Sequence, residues 1–128
     1  MTTTTRALVC ALLSAIAETT CGRSDIASPP ASRLSSLAAR EAGRRLYQTH
    51  CAFCHGERGD GQGVRRSSFA RAPRDFTDVA WRRSTSPEHV SRAIRDGVTG
   101  TAMPAWAALG DDAIANLTAY VCSFGRSR

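Results

Sequence analysis

The chain of 128 residues contains no lysine, and its formal charge of +6 rests on arginine alone. The arginines build no continuous basic stripe. They alternate with acids, as in RAPRDFTDVAWRR (residues 71–83), so the electrostatic footprint of a nucleic-acid-binding protein is missing. A basic surface still attracts acidic partners or anionic membranes. Strand-like alternation of apolar and polar residues is scarce throughout, which argues against any β-rich or βαβ architecture. No apolar run is long enough to be a confident membrane span; the best, Ala7 to Ala17, falls short of the length required. Internal repeats are absent. Metal-binding side chains are also few: three histidines, two methionines and five cysteines.

The N-terminal residues nevertheless carry information. A single positive charge, Arg6, precedes the run Ala7 to Ala17, and Ala15-Ile16-Ala17 forms a small-x-small pattern. This is the layout of a secretory signal peptide, expected over residues 1–20 with cleavage after Ala17. Cys21 offers an alternative, cleavage before a lipidated cysteine that would tether the chain to a membrane without spanning it; Glu18, three places upstream, fits that signal poorly. Residues 21–38, rich in Ser, Ala and Pro, read as a flexible linker. Residues 39–128 then form one small domain. A domain of this size has a marginal core and often depends on a metal, a disulfide or a cofactor.

Within that domain residues 50–56 read HCAFCHG. A structural zinc site would need a second ligand pair, and only His89 and Cys122 are on offer, far apart. A thiol–disulfide switch belongs at a helix N-terminus after a strand, and no strand is evident. The third reading is C-x-x-C-H, the attachment pattern of a c-type haem. Cys51 and Cys54 add across the two vinyl groups of the macrocycle, and His55 follows at once to ligate the iron. Attachment of this kind takes place in an exported compartment, in agreement with the signal.

A six-coordinate iron needs a second axial ligand. Met1 leaves with the signal, so Met103 remains, in GVTGTAMPAW. Gly97 and Gly100 permit tight turns, and Pro104 keeps Met103 out of the helical region. A thioether there favours the ferrous state and electron transfer. His50 adjoins Cys51 and His89 follows a Ser-Pro helix start; both read as solvated surface rather than as ligands.

The periodicity predicts three main helices. The first spans about Ser36 to His50, with Gly43, Leu46 and Tyr47 facing inward. The second starts at the N-cap Ser86 with Pro87 and Glu88 in its first turn, carries Val90, Ala93 and Ile94 on one stripe, and ends at Gly97. The third begins near Gly110-Asp111 and carries Ile114, Leu117, Tyr120, Val121 and Phe124.

With GRRLYQTHCAFCHGERGDGQG, PRDF, RAIRDGVTGTAMPAW and DDAIANLTAYVCSF in this order, the chain resembles the class I, single-haem bacterial cytochromes c over nearly all of residues 40–126. The resemblance implies an all-α cytochrome c fold around one covalent haem c, with the first and last helices crossing near Gly43 and Tyr120. It implies that the Pro73 carbonyl accepts a hydrogen bond from the His55 ring, and that Arg74 and Trp81 contact the haem. Gly110, where relatives often carry a Ser or Thr cap, and Cys122, expected as a buried inert thiol or a site of intermolecular disulfide formation, depart from the pattern. The implied function is a periplasmic carrier of single electrons between redox proteins with acidic docking surfaces, with no catalytic acid or base. The alternative is a fixed haem-bearing subunit of a dehydrogenase or terminal oxidase.

Overall fold

The computed structural model describes residues 28–125. Within them every regular element is helical: α1 (Ala31–Ser35), α2 (Leu37–His50), α3 (Ala52–His55), α4 (Val79–Ser84), α5 (Pro87–Asp96) and α6 (Asp111–Val121). The expected all-α class is observed. The predicted signal and Cys21 lie outside the described residues. No helix among those described is long and apolar enough to cross a membrane.

Local chemistry accounts for the helix ends. The Ser36 hydroxyl accepts from the Ala39 amide at 3.3 Å and starts α2. The Ser86 hydroxyl does the same for His89 at 3.2 Å, with Pro87 in the first turn of α5. Gly97, at φ +72°, ends α5 in a conformation closed to most side chains. The third main helix, α6, has no side-chain cap; Gly110 precedes it, and Asp111 and Asp112 in its first turn face the positive end of the helix dipole.

The core forms where α2, α5 and α6 meet. Tyr47, Val90, Ile94, Ile114, Leu117 and Val121 are buried together with Phe76 from a loop. Gly43 is required at the α2–α6 crossing: a Cβ there would lie 2.0 Å from the Asn116 carbonyl oxygen and 2.9 Å from Tyr120 Cβ. The crossing at Gly43 and Tyr120 is thus as expected. Thr118, fully buried, donates its hydroxyl to the Ile114 carbonyl at 2.8 Å, so its polar group enters the core satisfied.

Two features differ from the sequence reading. Residues 28–38 were expected to be flexible linker, yet Ala31–Ser35 is helical, Pro29 is buried and Arg33 pairs with Asp112 at 2.8 Å. Composition suggested a linker because the partners that order this segment lie on α5 and α6, far away in sequence. The short α4 was also not anticipated. Asp78 caps it, accepting from the Ala80 amide at 2.8 Å and the Trp81 amide at 3.4 Å.

Candidate haem site

The C-x-x-C-H stretch folds as one continuous turn off the end of α2. The Cys51 amide donates to the Tyr47 carbonyl at 2.8 Å, and the His55 amide donates to the Cys51 carbonyl at 2.9 Å. One helical turn between Cys51 and Cys54 brings both sulfurs to one side. Gly56, at φ +81°, stops α3 immediately after His55. The fully buried Tyr47 fastens this turn to α2, donating its hydroxyl to the Gly56 carbonyl at 2.7 Å. Burial drives the Tyr47 phenol well above its ordinary pKa, so it remains a donor. Burial, together with the neighbouring Cys54, pushes the Cys51 thiol up to about 11.

His55 is buried and its ring is fixed on two sides. Phe76 stacks on it with centroids 4.6 Å apart and planes 18° from parallel. Nδ1 lies 3.1 Å from the carbonyl oxygen of Arg74, and a carbonyl can only accept. Nδ1 therefore carries the proton and Nε2 carries the lone pair, the tautomer a metal ligand needs. Burial lowers the imidazole pKa and so favours the neutral ring, while the hydrogen bond to the Arg74 carbonyl pulls the other way.

The acceptor is Arg74, not Pro73 as the resemblance implied. Gly61, at φ +73°, sits so close to this extended segment that a Cβ would lie 2.8 Å from the Pro73 oxygen. The Pro73 carbonyl thus faces the Gly61 loop, and the next carbonyl along turns to the imidazole. The Phe76 amide, donating to the Gly59 carbonyl at 2.7 Å, holds the register.

A cavity of about 600 Å³ opens beside this turn. Cys51, Cys54 and His55 line it, as do Val90, Ala93 and Ile94 of α5, Phe76 and Trp81, and the loop residues Met103, Pro104 and Trp106. That loop is folded back on the end of α5. The Trp106 amide donates to the Ile94 carbonyl at 3.0 Å and the Val98 amide to the Met103 carbonyl at 3.2 Å. A Cβ on Gly97 would lie 2.8 Å from the Met103 oxygen, so only glycine permits this approach. Met103 is half-buried and faces the same cavity as His55.

All seven residues singled out from sequence (Cys51, Cys54, His55, Pro73, Arg74, Trp81 and Met103) line this one cavity. His50 and His89 also line it. His89 is exposed, as expected. His50 is half-buried instead of solvated, with its ring 5.1 Å from that of Trp106, because the Met103–Trp106 loop folds over the end of α2. Arg65, Phe69 and Arg71 are lining residues that sequence reading did not single out; no local pattern marks them. Cys122 is half-buried against the core instead of fully buried.

The donor set fits a haem. Two thiols one turn apart adjoin a buried imidazole with its lone pair free, a thioether faces the same space, and the walls are mostly apolar. Three arginines line the cavity and no carboxylate does, a charge balance suited to the two carboxylates of a haem.

Residues 38–121 match the protein family described as cytochrome c oxidase, cbb3-type, subunit III. The chain is 35% identical over 86 residues to the cbb3-type cytochrome c oxidase subunit FixPc of Rhizobium leguminosarum bv. viciae, covering 66% of this chain and 28% of the relative. It is 32% identical over 94 residues to the cbb3-type subunit CcoP of Azospirillum brasilense, covering 73% of this chain and 31% of the relative. The chain thus spans about three-tenths of the length of these curated relatives. Among solved structures, the c-type cytochrome KustC0563 superposes with a TM-score of 0.55 at 29% identity, over 64% of this chain and 95% of that one. A Kuenenia stuttgartiensis reducing HAO-like protein complex matches with a TM-score of 0.58 at 29% identity, over 66% of this chain and 41% of that one.

Proposed function

Because the chain belongs to the cytochrome c family of cbb3-type oxidase subunit III, we propose that it is the haem-bearing electron-transfer subunit of a terminal oxidase complex. The family's cofactor is haem c, covalently bound, with its iron. In this reading Cys51 and Cys54 would hold the haem through thioethers, and His55 Nε2 and the Met103 sulfur would ligate its iron. Arg74 and Trp81 would contact the macrocycle, and Pro73 shapes the loop segment beside it. The bound group supplies a one-electron couple between ferric and ferrous iron. The chain's own residues orient and insulate it. The Arg74 carbonyl fixes the tautomer of His55, Phe76 holds the ring plane, and the apolar wall of α5 excludes water.

The observation that carries this reading is the convergence of the His55 lone pair and the Met103 thioether on one cavity beside the C-x-x-C pair. The family relatives support a fixed oxidase subunit over the freely diffusing periplasmic carrier expected from sequence, since those named above are oxidase subunits. Export to the periplasm and a membrane anchor at Cys21 belong to the same proposal. Purification of the tagged chain from its own membranes is expected to bring haem–copper oxidase subunits with it; recovery of the chain alone in the soluble fraction would return it to the diffusing class. Met103→Ala is expected to abolish the weak far-red band of ferric haem with a sulfur ligand and to lower the reduction potential. An unchanged spectrum would refute the ligand assignment.

A further inference from the structure

The second residue between the tethering cysteines, Phe53, is 55% exposed. It contributes little to the core, yet its surroundings are ordered. The Arg65 guanidinium lies 5.8 Å from the Phe53 ring centroid and 5.7 Å from that of Phe69. The Arg65 amide also donates to the Phe53 carbonyl at 3.2 Å, tying the two segments together through the backbone. Cation–π contacts on both rings hold the charge in place. Val64, beside it, is 78% exposed.

This arginine has no carboxylate at ion-pair distance among the described residues, whereas Arg33, Arg44, Arg45, Arg58 and Arg95 all pair with acids. Arg65, Arg71 and Arg74 line the cavity and no Asp or Glu does. A haem carries two carboxylates. Even if two of the three arginines neutralise them, one positive charge remains, and Arg65 is the one already held by the aromatic pair next to the cysteines. An oriented arginine set between the exposed Phe53 ring and the half-buried Phe69 ring matches the residue types that dominate protein–protein contact centres.

We propose that Phe53, Arg65 and Phe69 form the docking platform through which this domain exchanges electrons with a carboxylate-bearing protein surface. This inference rests on the electron-transfer reading above. The rings supply apolar contact next to the haem tethers, and the clamped guanidinium supplies an oriented cation that steers encounter and sets register. Its position beside Cys54 would bring the partner next to the proposed haem attachment.

The test uses the holoprotein and two inorganic redox probes, anionic hexacyanoferrate and cationic hexaammineruthenium, in stopped flow at low ionic strength. Arg65→Glu is expected to slow exchange with the anion and quicken it with the cation, each several-fold. Added salt should erase both effects. Arg92→Glu makes the same change in net charge at an exposed site outside the cavity lining, and is expected to have a much smaller effect. Titration with polyglutamate, followed by NMR, is expected to shift the resonances of Phe53, Arg65 and Phe69 first. Equal effects of Arg65→Glu and Arg92→Glu, or polyglutamate shifts centred elsewhere, would overturn the proposal. Stronger binding to phosphatidylglycerol vesicles than to polyglutamate, lost in Arg65→Glu, would also overturn it by reassigning the patch to a lipid surface. Failure of the wild-type holoprotein to exchange electrons with either probe would instead refute the electron-transfer reading itself.

Discussion

At the scale of single residues, the carbonyl that orients His55 is set by a glycine thirteen positions before it. Gly61 adopts φ +73° and leaves no room for a side chain beneath the Pro73 oxygen. Gly61→Ala would have to adopt a left-handed conformation at a cost of about 1–2 kcal/mol, and its methyl would push residues 73–75 away. The Arg74 carbonyl should then lose its grip on Nδ1. A hydrogen bond from the imidazole makes it a stronger donor and favours ferric iron. Weakening that bond is therefore expected to raise the reduction potential, which a spectroelectrochemical titration of the variant would measure. A lower transition temperature with an unchanged potential would show that Gly61 serves only the loop. Cys51, Cys54 and His55 were legible in the sequence because the tethering and ligation proposed for them need only one turn of backbone. The choice between Pro73 and Arg74 was not, because both carbonyls lie on the same loop segment and only the packing of the Gly61 loop selects between them.

At the scale of elements, the three main helices follow from caps and apolar spacing that are local properties of the chain. Ser36, Ser86 and Gly97 stand where the sequence reading put them. Their crossing is a different matter, since it depends on an absence of atoms. A methyl on Gly43 would lie 2.0 Å from the Asn116 carbonyl, so α2 and α6 would have to separate. Gly43→Ala removes a glycine from a helix, a change that alone would stabilise by roughly 0.5–1 kcal/mol. Overpacking at the crossing should outweigh it, with a net destabilisation of about 1–3 kcal/mol. Chemical denaturation of the holoprotein would give the sign directly; a stabilised variant would mean that the crossing is more compliant than its geometry indicates. The short α4 escaped the sequence reading because its six residues show too little periodicity, although Asp78 before Val79-Ala80-Trp81 is a recognisable cap.

At the scale of the whole molecule, the segment before α2 folds over the starts of α5 and α6. Arg33 pairs with Asp112 in an exposed setting, and such pairs contribute at most about 1 kcal/mol. The Ser28 hydroxyl donates to the Glu88 carboxylate. That bond first, and the Ser86 hydroxyl second, lower the Glu88 pKa from its ordinary 4.5 to about 2. A carboxyl group lowered in the folded state lends its support above the unfolded value and loses it as pH falls through the folded one. Hydrogen exchange in residues 28–35 is therefore expected to quicken as the pH drops from about 4.5 toward about 2, after correction for intrinsic exchange rates. Glu88→Gln should quicken exchange already at neutral pH. If exchange in this segment ignores pH and that substitution, its attachment rests on Pro29 and α1 packing alone.

The sequence by itself determined the class of cofactor, the C-x-x-C-H turn proposed to hold it, and the lengths of the main helices. These rest on spacings within one or two turns of chain, where backbone geometry leaves little freedom. It also singled out Met103, by elimination among few candidate ligands, although no local rule carried that residue to the cavity. Tertiary structure brought Met103 to the same space as His55, through a loop folded onto the end of α5. It also selected the Arg74 carbonyl, ordered residues 28–38, and set Arg65 between Phe53 and Phe69. Each of these depends on contacts between segments distant in sequence, whose approach is governed by packing volume rather than by the preferences of the residues involved.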